Sequence, residues 1–161
     1  MTIEENVALP LLIKKEKKKE AVKKANEMLK EFKLDAYAKK YPKELSGGMR
    51  QRIALIRTYL FSKDVSLLDE PFSALDAITK DEMHEWYMDM RKKYNMSTIF
   101  ITHDVDEAVY LSDKVILMST NKGEIVHELM NELPRPRDRY CEKYKDYCEM
   151  LIKKISERGT T

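Results

Sequence analysis

Apolar positions recur along this chain with two different periods, and the change of period divides it into elements. Between Lys14 and Lys33, Val22, Ala25, Leu29 and Phe32 stand at helical spacing among lysines and glutamates, the pattern of an amphipathic helix with a solvated face. Glu16 and Glu20 interrupt the lysine run and supply near-neighbour ion pairs, so it reads as a charged helix face and not as a basic binding patch. Tyr41-Pro42 breaks the pattern. After Leu45-Ser46-Gly47-Gly48, the stripe Met49, Ile53, Ile56 and Leu60 predicts a helix that starts at the two glycines with Ser46 as its N-cap.

The period then shortens. Val65-Ser66-Leu67-Leu68 predicts a buried strand closed by Asp69-Glu70 and stopped by Pro71. A helical stretch from Ala77 to Lys93 turns Met83, Trp86 or Tyr87, and Met90 inward, and Thr98 to Thr102 reads as a second buried strand. Strand, helix, strand implies a parallel, right-handed crossover. Glu70 and His103 then lie at the carboxyl edge of one sheet, where open α/β sheets bind ligands. Val105 to Leu111 is expected to be helical and Val115 to Met118 a strand, with a turn at Asn121-Lys122-Gly123-Glu124 into Ile125-Val126. Beyond Pro134 and Pro136 runs a charged helical tail.

Composition narrows the function classes. The 161 residues carry 30 Lys+Arg against 28 Asp+Glu, a net charge of +2, which is no electrostatic footprint of a nucleic-acid binder. A chain of this length buries roughly 70% of its unfolded surface, enough for one real core. Only 4 glycines occur, none spaced as in a G-x-x-x-x-G-K-[ST] or G-x-G-x-x-G loop, so the sequence holds no phosphate loop of those kinds. No apolar run approaches the roughly 18 residues needed to span a bilayer; the longest, Val7 to Ile13, contains Pro10. The opening Met-Thr-Ile-Glu-Glu is too acidic for a secretion signal. Cys141 and Cys148, seven apart on a predicted helix, are too distant for a disulfide and read as reduced thiols of a cytoplasmic protein.

Ser46, Gly47 and Gly48 at a helix start offer a hydroxyl, open backbone N–H groups and a positive dipole end, the features that hold an anionic phosphate. Alone, such a triplet is a cap. As a unit, Leu45-Ser46-Gly47-Gly48-Met49-Arg50-Gln51-Arg52 resembles the signature motif of ATP-binding cassette (ABC) ATPases, with Met49 where glutamine is commonest. The strand ending in Asp69-Glu70 looks like the family's Walker B element, Ser73-Ala74-Leu75-Asp76 like its D-loop, and Ile101-Thr102-His103-Asp104 like its switch-histidine loop. The four motifs follow the family's order. Thr2 to Val7 resembles the segment that opens the helical subdomain. Glu107-Ala108 through Ser112-Asp113, Gly123 to Val126, and Leu133 to Asp138 resemble the branch serving nitrate, sulfonate, taurine and thiamine-precursor importers.

The resemblance implies an α/β chain: part of a P-loop NTPase fold with a helical signature subdomain over 1–60, an incomplete, mostly parallel sheet over 61–130, and a helical tail over 131–161. It implies ATP and Mg²⁺ as cofactors, with Ser46, Gly47, Gly48, Met49, Gln51 and Asp76 facing nucleotide. Asp69 would hold the metal through water, while Glu70 orients the attacking water and His103 acts as the switch. Partners implied are transmembrane permease subunits, a second ATPase domain in a homo- or heterodimer and, indirectly, an extracytoplasmic solute-binding protein; nucleic acid is not among them. The expected place is cytoplasmic, peripheral on the inner face of the membrane.

The family's adenine-stacking, Walker A and glutamine loops have no counterpart in the sequence, which on this resemblance starts in mid-domain. The chain is then one half of a shared site, inactive by itself, because nothing else in it replaces the Walker A grip on phosphate. Two alternatives stand beside the importer reading: a non-catalytic half that caps nucleotide in trans, and a truncated or mis-started product. Chromosome-maintenance and DNA-repair ATPases share these motifs but insert a coiled coil, and Lys14 to Leu34 has no heptad run. In the family fold the Walker A strand lies between the switch-histidine strand and the strand matching Val115 to Met118. Its absence predicts self-association or a rearranged core.

Overall fold

A computed structural model describes residues 1–62, 65–119 and 123–157. They fall into two compact units, Met1–Ile99 and Phe100–Thr161.

The first unit is built on helices. Helix α1 (Ile3–Ile13) opens with a capping box, in which Thr2 Oγ1 accepts from the Glu5 amide and the Glu5 carboxylate accepts from Thr2 N–H at 2.8 Å, satisfying donors that a helix start leaves open. Helix α2 (Lys18–Glu31) follows the expected amphipathic pattern, burying Ala21, Ala25, Met28 and Leu29. On its charged side Lys24 pairs with Glu16 at 2.8 Å. Helix α3 (Gly47–Phe61) starts at the predicted cap Ser46 and buries Ile53, Ile56 and Leu60. Val7, Ala8, Ala25, Leu29 and Ile56 meet in one core at zero exposure. Burial of each larger aliphatic there is worth about 1.5–3 kcal/mol, so this helical cluster is the stable part of the unit.

Strand β1 (Val65–Asp69) leads through the Asp69-Glu70 corner to α4 (Ala77–Tyr94) and β2 (Ser97–Ile101). β1 and β2 are neighbours in a two-stranded sheet, joined by the helical crossover that a parallel pair requires. Helix α4 ends at Asn95, whose φ of 47° is a left-handed stop. Its inner face is Met83, Tyr87 and Met90, with buried His84 beside them, so the choice between Trp86 and Tyr87 falls to Tyr87. The burial expected of both strands needs correction. Val65, Leu67, Ile99 and Ile101 are 48%, 72%, 58% and 58% exposed, while Ser66 and Leu68 are buried. Alternation places every second side chain on one face, and that face of this small sheet is open.

The second unit holds α5 (Val105–Leu111), the antiparallel strands β3 (Lys114–Met118) and β4 (Ile125–Met130), and α6 (Glu142–Ser156). The β3–β4 pairing opposes Val115 to Leu129 and Ile116 to Glu128, with an irregularity between Leu117 and Met118. Of the predicted turn between them, Asn121 and Lys122 lie outside the described residues. Gly123 follows with φ +65°, and Ser119 N–H bonds the Glu124 carbonyl at 2.9 Å. Val109, Leu133, Tyr144 and Leu151 form this unit's core. Cys141 and Cys148 are free thiols. Among the described residues the strands form two separate two-stranded sheets, and no helix is long and apolar enough to cross a membrane.

Candidate functional site

The first unit brings two helix N-termini together. Ser46 caps α3, its Oγ accepting from Met49 N–H at 3.3 Å, and Asp76 caps α4. The Asp76 carboxylate accepts from Thr79 Oγ1 at 2.6 Å and from Thr79 N–H at 3.1 Å. Those bonds, the hydroxyl's first, hold the Asp76 carboxyl below its ordinary range, so it stays ionised and fixed against the start of α4. The two glycines are where the helices approach. A Cβ on Gly48 would stand 3.0 Å from Thr79 Cγ2, and one on Gly47 would stand 3.5 Å from Leu75 Cδ2.

Between the helix starts lies a shallow cleft of about 250 Å³, lined by Ser46, Gly48, Met49, Arg52, Thr79, Glu82 and Met83. Ser46 and Gly47 are exposed beside it and Gly48 is buried in its wall. An anion at this cleft would meet the positive ends of two dipoles and Arg52 in the lining, while the Met49 and Thr79 amides already donate to their caps. Gln51, half-buried on α3, does not line it. The sequence reading missed Thr79, Arg52 and Glu82. An aspartate cap followed three residues later by threonine is a usable local signal, but only packing brings α4 against α3.

Asp69 ends β1 and Glu70 follows, both exposed. Glu70 has φ 43°, a left-handed value that non-glycine residues adopt at a cost on the order of 1 kcal/mol. Its carbonyl accepts from Ser73 N–H at 3.3 Å and Ser73 Oγ at 3.0 Å, a turn that fixes the backbone of this residue just past the strand end. Among the described residues no group of three or more His, Cys, Asp or Glu could hold a metal ion. Magnesium is commonly held by one or two carboxylates, waters and substrate phosphates, so one aspartate at a strand end suits that ion where a protein cage would not be needed.

His103 belongs to the second unit, exposed between β2 and α5. Its loop is braced on both sides. Thr102 Oγ1 donates to buried Glu107 at 2.8 Å and accepts from Asp104 N–H at 3.0 Å. Asp104 Oδ1 caps α5 by accepting from the amides of Asp106 and Glu107 at 3.0 and 3.3 Å. At the other end of α5, Arg137 Nη1 donates to the carbonyls of Val109 and Tyr110 at 2.9 and 2.8 Å, a cation at the negative end of a helix dipole. The structure thus gathers Ser46, Gly48 and Met49 on one cleft, ties Asp76 to it through the lining residue Thr79, leaves Asp69 and Glu70 at the strand end of the same unit, and carries His103 in the other unit.

Residues 1–73 match the ABC transporter family model. The chain is 40% identical over 159 residues to the aliphatic sulfonates import ATP-binding protein SsuB of Bacillus cereus, covering 99% of this chain and 62% of that protein. It is 46% identical over 129 residues to the sulfate/thiosulfate import ATP-binding protein CysA of Mannheimia succiniciproducens, covering 78% of this chain and 36% of that one. A solved metal-chelate type ABC transporter in an inward-facing conformation superposes with a TM-score of 0.69 at 26% identity, over 78% of this chain and 52% of its own. The chain therefore spans 62% of the length of the first of these relatives. Motif order, fold and relatives agree: the chain belongs to the ABC transporter family of ATP-binding proteins.

Proposed function

We propose that this chain supplies one half of a composite ATP site in the ATP-binding subunit of an importer, where nucleotide binding and hydrolysis between two ATPase domains drive solute uptake through permease partners. The observation that carries this reading is the cleft shared by the α3 and α4 N-termini, with Gly48 in its wall and the Ser46 hydroxyl at its mouth. In it, Ser46, Gly47, Gly48 and Met49 receive the terminal phosphate of a nucleotide held by a partner domain, with Gln51 behind them on α3, and Asp76 steadies the facing edge. Asp69 would hold Mg²⁺, which when bound would neutralise phosphate charge. Glu70, just past the strand end, orients the attacking water, and His103 contacts the phosphate being released. The second domain, the permease and an extracytoplasmic binding protein are partners on this reading, at the cytoplasmic face of a membrane.

A trans-capping role without catalysis, which needs only the cleft at the α3 and α4 starts, is the second reading. Turnover separates the two. The purified chain alone is expected to hydrolyse no Mg-ATP. Mixed with a complete family ATPase domain it should associate when nucleotide is present, with turnover that Glu70→Gln nearly abolishes while leaving association intact. Turnover that Glu70→Gln leaves unchanged rejects the role of Glu70 and favours the capping reading. Glu70-dependent turnover by the chain alone would reveal a phosphate site elsewhere in it.

A further inference from the structure

Helix α6 reaches across its unit to the turn that follows His103. Tyr144, 2% exposed, donates its hydroxyl to Asp106 Oδ1 at 2.7 Å and lies 3.0 Å from the Asp106 carbonyl. Arg139 Nε sits 3.1 Å from the other oxygen, Asp106 Oδ2, and its guanidinium lies 4.0 Å above the Tyr110 ring. The Asp106 carboxylate is thus held from two sides by residues 33 and 38 positions further along the chain. Burial, and then the nearby Asp106 carboxylate, push the Tyr144 hydroxyl far above its ordinary value, so it is a donor at every working pH.

Asp106 stands in the first turn of α5, whose cap Asp104 directly follows His103. The backbone of 102–107 is tied internally by the Thr102–Glu107 and Asp104 bonds. Rotation of that turn therefore carries His103 with it, and the polar grip on the turn comes at Asp106, from Tyr144 on α6 and from Arg139 just before that helix. We propose that Tyr144 is a positioning residue: through Asp106 it sets the orientation of the His103 loop, so that docking of α6 determines how His103 is presented. This rests on the reading of His103 as a phosphate-contacting residue.

The test uses the whole chain without nucleotide. Its 3 histidines give ring carbon–proton cross-peaks assigned by single substitution. In Tyr144→Phe the His103 cross-peak is expected to move and the amides of 104–107 to exchange about tenfold faster, as loss of a hydrogen bond to a charged group implies. The His84 and His127 peaks and the β3–β4 amides should stay unchanged. Asp106→Asn, which keeps an oxygen for the Tyr144 hydroxyl, should hold the His103 peak where Asp106→Ala releases it; this pair also reads the coupling if Tyr144→Phe does not fold. An unmoved His103 peak with α6 still protected overturns the proposal, as does uniform loosening of the whole unit. His103→Ala with normal turnover in an assembled ATPase would instead refute the role of His103, leaving the spectroscopic coupling standing.

Discussion

Gly48 at the start of α3 and Thr79 in the first turn of α4 are in such close approach that a methyl group on Gly48 would stand 3.0 Å from Thr79 Cγ2. Alanine is the better helix former by about 1 kcal/mol, yet here it must push a branched side chain whose hydroxyl donates to Asp76 and whose backbone amide Asp76 also holds. Gly48→Ala is expected to destabilise the chain by about 1 kcal/mol. Adding Thr79→Ser, which removes the methyl and keeps the hydroxyl, should reverse the loss. Urea unfolding of the double-mutant cycle checks this; a Gly48→Ala chain more stable than the parent would show that the two helices are not in contact there.

Ser46 has a structural and a proposed functional role, and aspartate separates them. Aspartate caps a helix as well as serine does, whereas alanine costs about 1 kcal/mol. Ser46→Asp should therefore keep stability near the parent value and lose nucleotide-dependent association, because a carboxylate occupies the place of phosphate. Ser46→Arg should lose association through bulk. Thermal melts and sedimentation with and without Mg-ATP read both effects, and association by both variants would move the phosphate away from the α3 start.

Glu4, 8% exposed in α1, is held below its ordinary value of 4.5 first by the hydrogen bond from Lys39 and also by Asn26. A carboxyl whose folded value is depressed stabilises the fold above pH 4.5, and that contribution disappears as pH falls through the folded value. Glu4→Gln is expected to cost about 1 kcal/mol at pH 7, a modest figure because Lys39 is exposed. The difference from the parent should shrink as pH falls below 4.5 and vanish at an acid pH below the depressed folded value, where both states are protonated. An equal cost at both pH values would mean that packing, and not charge, is what the substitution removes.

Val65 and Leu67 on β1 and Ile99 on β2 expose a contiguous strand pattern of apolar side chains. Such a face favours association with another chain. Sedimentation velocity on the purified chain should show concentration-dependent self-association, reduced by Leu67→Lys. A well-dispersed monomer at all concentrations, with slow amide exchange over Thr98 to Thr102, would rule it out.

The elements that were legible in the sequence are those whose cause is local. The Ser46 cap and its two glycines, the Asp69-Glu70-Pro71 strand stop and the seven-residue α5 each depend on side chains within a few positions of the backbone they control. The motifs carrying the family resemblance are of the same contiguous kind, which is why they could be read as strings. The buried state of β1 and β2 was misread, because an apolar run gives no information on whether anything covers its second face.

What the sequence determined by itself was the order of helices and strands, the caps and the four motifs, since these follow from periodicity and short-range hydrogen bonding. Only the tertiary structure decided that Thr79 would face Gly48, that Tyr144 would hold Asp106 across 38 positions, and that His84 and Glu107 would be buried. Those contacts join residues far apart in the chain, and their energies exist only once the helices have packed, so no local pattern announces them.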